Sequence, residues 1–279
     1  MEQEIAFQSA GNTLSGFLHV PDGVATAQPA LILLHGFGGS CRGAGHPELA
    51  AALERAGYVA LRFDYRGCGK SDGERGSVIC EEEIADTHQA IAFLGSQPNV
   101  DATRIGLIGA SLGGSVAIEV TAADPRVKVC AANGAIGNGE RRFRAQYPDP
   151  AKWQSFRTKL DDARRRKATL NRFEIIQIPE PYRKGLPPGA TMEFSAETAI
   201  SLMALNPEAV VGRIAPRPLL LIHPRADAVV PVAETEALSA AAGANCETHI
   251  IESREHFASG SPALIALTLD WLGRHIPVA

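Results

Sequence analysis

Ile105-Gly106-Leu107-Ile108-Gly109-Ala110-Ser111-Leu112-Gly113-Gly114-Ser115-Val116-Ala117-Ile118-Glu119-Val120 is the stretch that decides the fold. The apolar run 105–108 reads as a strand and 115–120 as a helix. Between them Gly109–Gly114 makes a sharp turn with a serine at its apex, flanked by residues small enough to let the backbone bend. A Gly-x-Ser-x-Gly turn in this setting holds Ser111 in a strained conformation, with its Oγ clear of the sheet. It also places the Leu112 amide where it can face a developing oxyanion. The pentapeptide alone also suits a plain glycine-rich loop, so the flanking chain has to decide.

Working outward, strands alternate with helices. Ile5–Ser9 and Thr13–Val20 around Gly11-Asn12 read as a hairpin. Ala30–His35 is a continuous apolar run, as in a strand buried on both faces. Pro47–Ala56 reads as a helix closed by Gly57, followed by the strand Tyr58–Phe63. Glu81–Leu94 is the next helix, with Ile84, His88, Ile91 and Leu94 spaced along one side. Arg104–Ile108, the serine turn, a helix to about Ala123 and the strand Val127–Ala132 complete the first half. The alternation implies crossover connections and a mostly parallel twisted sheet, the α/β class. It lapses from Gly137 to about Leu205, where proline pairs and a basic, helix-like stretch from Trp153 to Arg172 replace core strands. It resumes with Leu219–His223, Glu247–Ile251 and the amphipathic helix Pro262–His275. The expected organisation is a core of 1–136 and 205–279 with a helical cap, 137–204, laid over the carboxyl edge of the sheet, where open α/β sheets bind ligands.

A serine hydroxyl needs a base to take its proton, and the base needs an orienting acid. Asp227 follows the strand Leu219–His223 by a short loop, and His256 follows the strand ending near Ile251. Both therefore stand at carboxyl ends of parallel strands, as Ser111 does, in the chain order serine, acid, histidine. His35-Gly36-Phe37-Gly38-Gly39 ends the strand Ala30–His35, and its glycines let a main-chain amide, assigned to Phe37, join Leu112 in an oxyanion hole.

His35–Gly39, Asp64-Tyr65-Arg66-Gly67-Cys68-Gly69, the serine turn, Asp227-x-x-Val230-Pro231 and His256-Phe257 together resemble the α/β-hydrolase superfamily. The similarity is to its serine hydrolases near the dienelactone hydrolases and prolyl-oligopeptidase-like esterases. The resemblance implies an α/β-hydrolase fold and a carboxylic ester hydrolase working through Ser111, Asp227 and His256 by an acyl-enzyme. Thioesters, amides, carbon–carbon bonds beside a ketone, and acyl transfer share this machinery and stay open. A non-catalytic member binding a ligand or partner is the alternative of a different class. Ser111 departs from the cysteine of dienelactone hydrolases, which argues against that activity. Pro224 stands where the superfamily has glycine, which predicts a stiffened or rerouted Asp227 loop.

A net charge of −4 gives no electrostatic reason to expect nucleic acid, and no apolar run approaches the roughly 20 residues of a membrane helix. Five widely spaced cysteines without a CxxC pair, and the polar start Met1-Glu2-Gln3-Glu4, read as reduced thiols in a cytoplasmic protein. No metal ligand spacing and no organic cofactor are indicated. The expected partner is a small acyl or ester substrate, with a homodimer left open. His35 is expected to anchor the oxyanion loop, and His46, His88, His223 and His249 to pack or lie on the surface. Asp64–Gly67 is expected as a buried ion-paired turn, and Arg164–Lys167 as a solvated helix face rather than an anion site. Trp153, Phe156, Phe173 and Tyr182 are the candidates for lining an acyl or alcohol pocket.

Overall fold

The computed structural model describes residues 1–24, 26–75, 77–170, 195–256 and 260–278, with backbone alone for 168–170. Among them β1 (Glu2–Ser9), β2 (Asn12–His19), β3 (Gln28–Leu34), β4 (Val59–Phe63), β5 (Val100–Ala110), β6 (Val127–Asn133), β7 (Leu219–Pro224) and β8 (Cys246–Ile251) form one sheet. Its order is β1-β2-β4-β3-β5-β6-β7-β8. β2 runs antiparallel to both neighbours, and every pairing from β4 to β8 is parallel. The sheet is the mostly parallel α/β one the alternation implies. β5 starts four residues before the expected Arg104, because after the buried Val100 the stretch Asp101–Thr103 is mostly polar and at least partly exposed and carries no apolar run.

Every residue of β3, β4 and β7 is buried, which explains the apolar runs Ala30–Leu34, Val59–Leu61 and Leu219–Ile222. Successive side chains of a strand alternate faces. Leu31 and Leu33 accordingly pack under α1 (His46–Arg55) and the C-terminal helix Pro262–His275, with Leu49, Leu53, Leu264, Trp271 and Leu272. Ala30, Ile32 and Leu34 face the other way, toward α2 (Cys80–Gly95), α3 (Leu112–Ala123) and the helix Val232–Ala242, with Ile91, Leu94, Val116, Val120 and Leu238. The edges are less covered: β8 is half-buried along its whole length.

The buried side of α2 is not the row Ile84, His88, Ile91 and Leu94. Ile84 and His88 are only half-buried, whereas Glu83, Asp86 and Thr87 are buried with Ala90, Ile91 and Leu94. Asp86 is satisfied by Arg66 and Ser9, and Thr87 bonds Tyr65 Oη and the Glu83 carbonyl. Polar groups can occupy that side because each of these two has partners. Between β6 and β7 lie α4 (Gly139–Arg144), α5 (Pro150–Leu170) and α6 (Ala196–Ala204). The Asn138 and Ser195 side chains cap α4 and α6 by accepting from Arg141 N and Thr198 N, at about 1 kcal/mol each. Phe143, Phe156, Leu160, Ala163, Ala199 and Leu202 form a third cluster, shared with Leu112 and Val78 and flanked by Phe37. The helices Val232–Ala242 and Pro262–His275 are α7 and α8. α7 was not anticipated: it is alanine-rich and lacks a regular apolar stripe.

Candidate active site

Ser111 sits between β5 and α3 at φ 55°, ψ −123°. A non-glycine residue in that sparsely populated region costs about 1–3 kcal/mol, so the surroundings must hold it there. The Ser111 amide donates to the Asn133 carbonyl at 2.7 Å, tying the turn to β6. A Cβ on Gly109 would collide with the Gly113 carbonyl, and one on Gly113 with the carbonyls of Leu34 and His35. Both glycines are therefore required for α3 to start so close to the strand ends. Leu112 is the first helical residue, and its N–H is among those that no carbonyl of its own helix can reach.

Ser111 Oγ lies 2.8 Å from His256 Nε2, and His256 Nδ1 lies 2.5 Å from Asp227 Oδ2. A carboxylate accepts, so Nδ1 carries the hydrogen and Nε2 presents its lone pair to the serine hydroxyl. All three side chains are buried. Asp227 Oδ1 accepts from the amides of Val229 at 2.7 Å and Val230 at 3.0 Å. Burial alone would push the Asp227 carboxyl up, but His256 and these two amides outweigh it and leave the pKa lowered. The acid stays ionised and able to orient an imidazolium.

Pro224 does not divert the loop. Asp227 N donates back to the Pro224 carbonyl, while Arg225 N and Ala226 N donate to the carbonyls of Ile251 and Ser253 at 2.8 and 3.0 Å. The segments carrying the acid and the histidine are thus laced together before either side chain is considered.

The Phe37 loop runs against the serine: a Cβ on Gly36 would stand 3.0 Å from Ser111 Cβ. His35 does anchor it. Tyr65 N donates to His35 Nε2 at 3.2 Å, so Nδ1 carries the hydrogen and donates to the Gly36 carbonyl at 2.9 Å. Burial pushes this imidazole's pKa down, which suits a neutral structural ring. The Asp64–Gly67 turn is buried and ion-paired, as expected. Asp64 accepts from the backbone amides of Cys41 and Lys70 at 2.6 and 2.8 Å, and Arg66 pairs outward with Asp86 of α2 at 2.5 Å. The turn is held by amides, and its ion pair reaches across to a helix.

Trp153 and Phe156 belong to the aromatic group with Tyr147 and Phe143; Phe156 stacks on Tyr147 at 4.7 Å between centroids. That group shares its cluster with Leu112 and Phe37, which brings α5 beside the residue after Ser111 and the Phe37 loop. Phe173 and Tyr182 lie outside the described residues. Three neighbours of the site were missed in the sequence. Gly134, at φ +61°, would place a Cβ 3.2 Å from His256 Cε1. Glu234 of α7 accepts from the Gly137 and Asn138 amides and from Arg141. His223, expected only to pack, has Nε2 3.6 Å from Asp227 Oδ2. The available signal was their position: each stands at or soon after the carboxyl end of a core strand. Among the described residues no group of three His, Cys, Asp or Glu could hold a metal ion, and no helix is long and apolar enough to cross a membrane.

A family model for the alpha/beta hydrolase family matches residues 31–266, and the chain belongs to that family. A thiohydrolase, apmlB of Arthrinium phaeospermum, is 28% identical over 246 residues, 80% of this chain and 78% of its own. The polyketide transferase grgF of a Penicillium species is 27% identical over 88% of this chain and 83% of its own. The solved structure of the α/β hydrolase GrgF from Penicillium sp. sh18 superposes with a TM-score of 0.82 at 23% identity, over 99% of both chains. An esterase of Pyrococcus furiosus, Pf2001, does so at 0.69 and 18%, over 99% of this chain and 93% of that one. An uncharacterized 31.7 kDa protein of Escherichia coli is 40% identical over 121 residues, which are 43% of this chain and only 42% of that relative's length.

Proposed function

We propose that the protein is a serine hydrolase that cleaves a carboxylic ester through an acyl-enzyme. The observation that carries this reading is the unbroken chain Ser111 Oγ–His256–Asp227, with contacts of 2.8 and 2.5 Å and the histidine hydrogen on the acid's side. His256 Nε2 takes the proton from Ser111 Oγ as it attacks the carbonyl carbon. The charge that develops on the carbonyl oxygen is met by the Leu112 and Phe37 amides. Each such donor is worth about 3–4 kcal/mol of barrier. Asp227 stabilises the imidazolium, which returns its proton to the leaving alcohol. Water, deprotonated by His256, then releases the acid and restores Ser111. Trp153 and Phe156 border the acyl or alcohol side in this reading.

A fluorophosphonate probe with mass mapping tests the mechanism. The expected result is one adduct on Ser111, absent in Ser111→Ala, with hydrolysis of short p-nitrophenyl esters lost in the same variant. Labelling elsewhere, or equal turnover by both proteins, overturns it and favours a binding protein.

The thiohydrolase and polyketide transferase among the relatives favour a second reading, in which the acyl group arrives as a thioester or leaves to an alcohol. An ester and a thioester of one acyl group, assayed with and without an added alcohol, separate the two. Preference for the thioester, or a new ester product, selects the second.

A further inference from the structure

His223 ends the apolar part of β7 and is fully buried. Its ring is pinned at both nitrogens. Nδ1 lies 2.7 Å from Thr235 Oγ1, and Nε2 lies 2.9 Å from the Val230 carbonyl. A carbonyl can only accept, so Nε2 bears the hydrogen, Nδ1 the lone pair, and the Thr235 hydroxyl donates to it. The same Nε2 faces Asp227 Oδ2 at 3.6 Å. That is too long for a hydrogen bond. The hydrogen goes to Val230, and the ring edge that carries it lies beside the oxygen that meets His256. Val230 closes the circuit, because its amide donates to Asp227 Oδ1 while its carbonyl receives His223.

We propose that His223 is a positioning residue for the acid. It clamps the Val230 peptide, whose amide holds Asp227 Oδ1, and packs its ring edge beside Oδ2, so the carboxylate cannot rotate away from His256. The proposal rests on the reading of Ser111, His256 and Asp227 given above. A neutral ring suits the task, since an imidazolium here would compete with His256 for the same carboxylate. The charged and titratable groups facing His223 are Asp227, His256 and Glu234, and burial, the largest influence, pushes its pKa down. The described partners thus define one protonation state and one tautomer.

Glutamine and asparagine separate positioning from packing. Glutamine can bring an amide N–H to the place of Nε2, whereas asparagine is too short and leaves the Val230 carbonyl without the donor His223 supplies. His223→Gln is expected to keep kcat within about threefold, and His223→Asn to lose roughly tenfold or more in kcat with little change in KM, as a displaced catalytic geometry does. In a Ser111→Ala background, where no turnover occurs, the strongly hydrogen-bonded His256 Nδ1 proton is read by NMR. It should persist with Gln and broaden or move upfield with Asn. Equal behaviour of the two variants overturns the proposal. So does a ring ¹⁵N spectrum of the unsubstituted His223 showing Nδ1–H or an imidazolium at neutral pH, a test that needs no variant to fold. If Ser111→Ala stays active, the triad reading fails instead, so the two failures are distinct.

Discussion

Gly134→Ala measures how tightly His256 is held. Gly134 has φ +61°, and its amide donates to the Ile222 carbonyl at 2.9 Å, so the backbone there has no freedom to turn over. An alanine in that conformation costs about 1–2 kcal/mol. Its Cβ would stand 3.2 and 3.3 Å from His256 Cε1 and Nδ1, and the ring must recede by a few tenths of an ångström. That movement strains both the 2.8 Å contact to Ser111 and the 2.5 Å contact to Asp227. With about 10²-fold lost per ångström of misplacement, two disturbed contacts predict a loss of roughly tenfold. Gly23→Ala supplies the control: φ is +71°, and nothing lies within 4 Å of the added carbon. Both variants should lose about 2–5 °C in Tm. Only Gly134→Ala should slow the second-order rate of fluorophosphonate inactivation, a readout that needs no knowledge of the substrate. A Gly134→Ala rate within twofold of the parent, or an equal loss in Gly23→Ala, refutes the reasoning.

Glu234→Ala removes the one carboxylate that receives Gly137 N, Asn138 N and Arg141, and should destabilise the fold by roughly 2–4 kcal/mol in urea unfolding. Burial opposes ionisation of Asp124, yet the bonds from Arg126 hold its carboxyl at about 2. A depressed carboxylate stabilises the fold fully above its unfolded pKa near 3.9 and less as the pH falls through the folded value. With Arg126 half exposed, Asp124→Asn should cost about 1 kcal/mol at pH 7, and the Tm gap to the parent should close between about pH 4 and 2.

Most of the sheet was legible because β3 and β7 are buried on both faces and write that burial as the apolar runs Ala30–Leu34 and Leu219–Ile222. The Ser111 turn was legible because Gly109 and Gly113 answer a steric demand that no other residue meets. α7 was not, since its helix is specified by alanine and by docking rather than by a periodic stripe. The buried side of α2 was not legible for a related reason. Glu83, Asp86 and Thr87 look like surface residues until Arg66, Ser9 and Tyr65, distant in sequence, are brought against them. His223 and Gly134 carry no motif of their own, and their importance comes from what lies 3–4 Å away.

The half-buried edge strand β8 has a consequence for how the protein fails. Ser111 hangs from the middle of the sheet and Asp227 from its penultimate strand, while His256 follows the outermost one, which is paired on a single side. Folded proteins open locally where burial is thinnest, well before they melt as a whole. Reactivity and foldedness are therefore insured by different parts of the molecule: the core guards the shape, and the rim guards the proton transfer. A warmed or mildly denatured population would hold intact molecules that have already fallen silent.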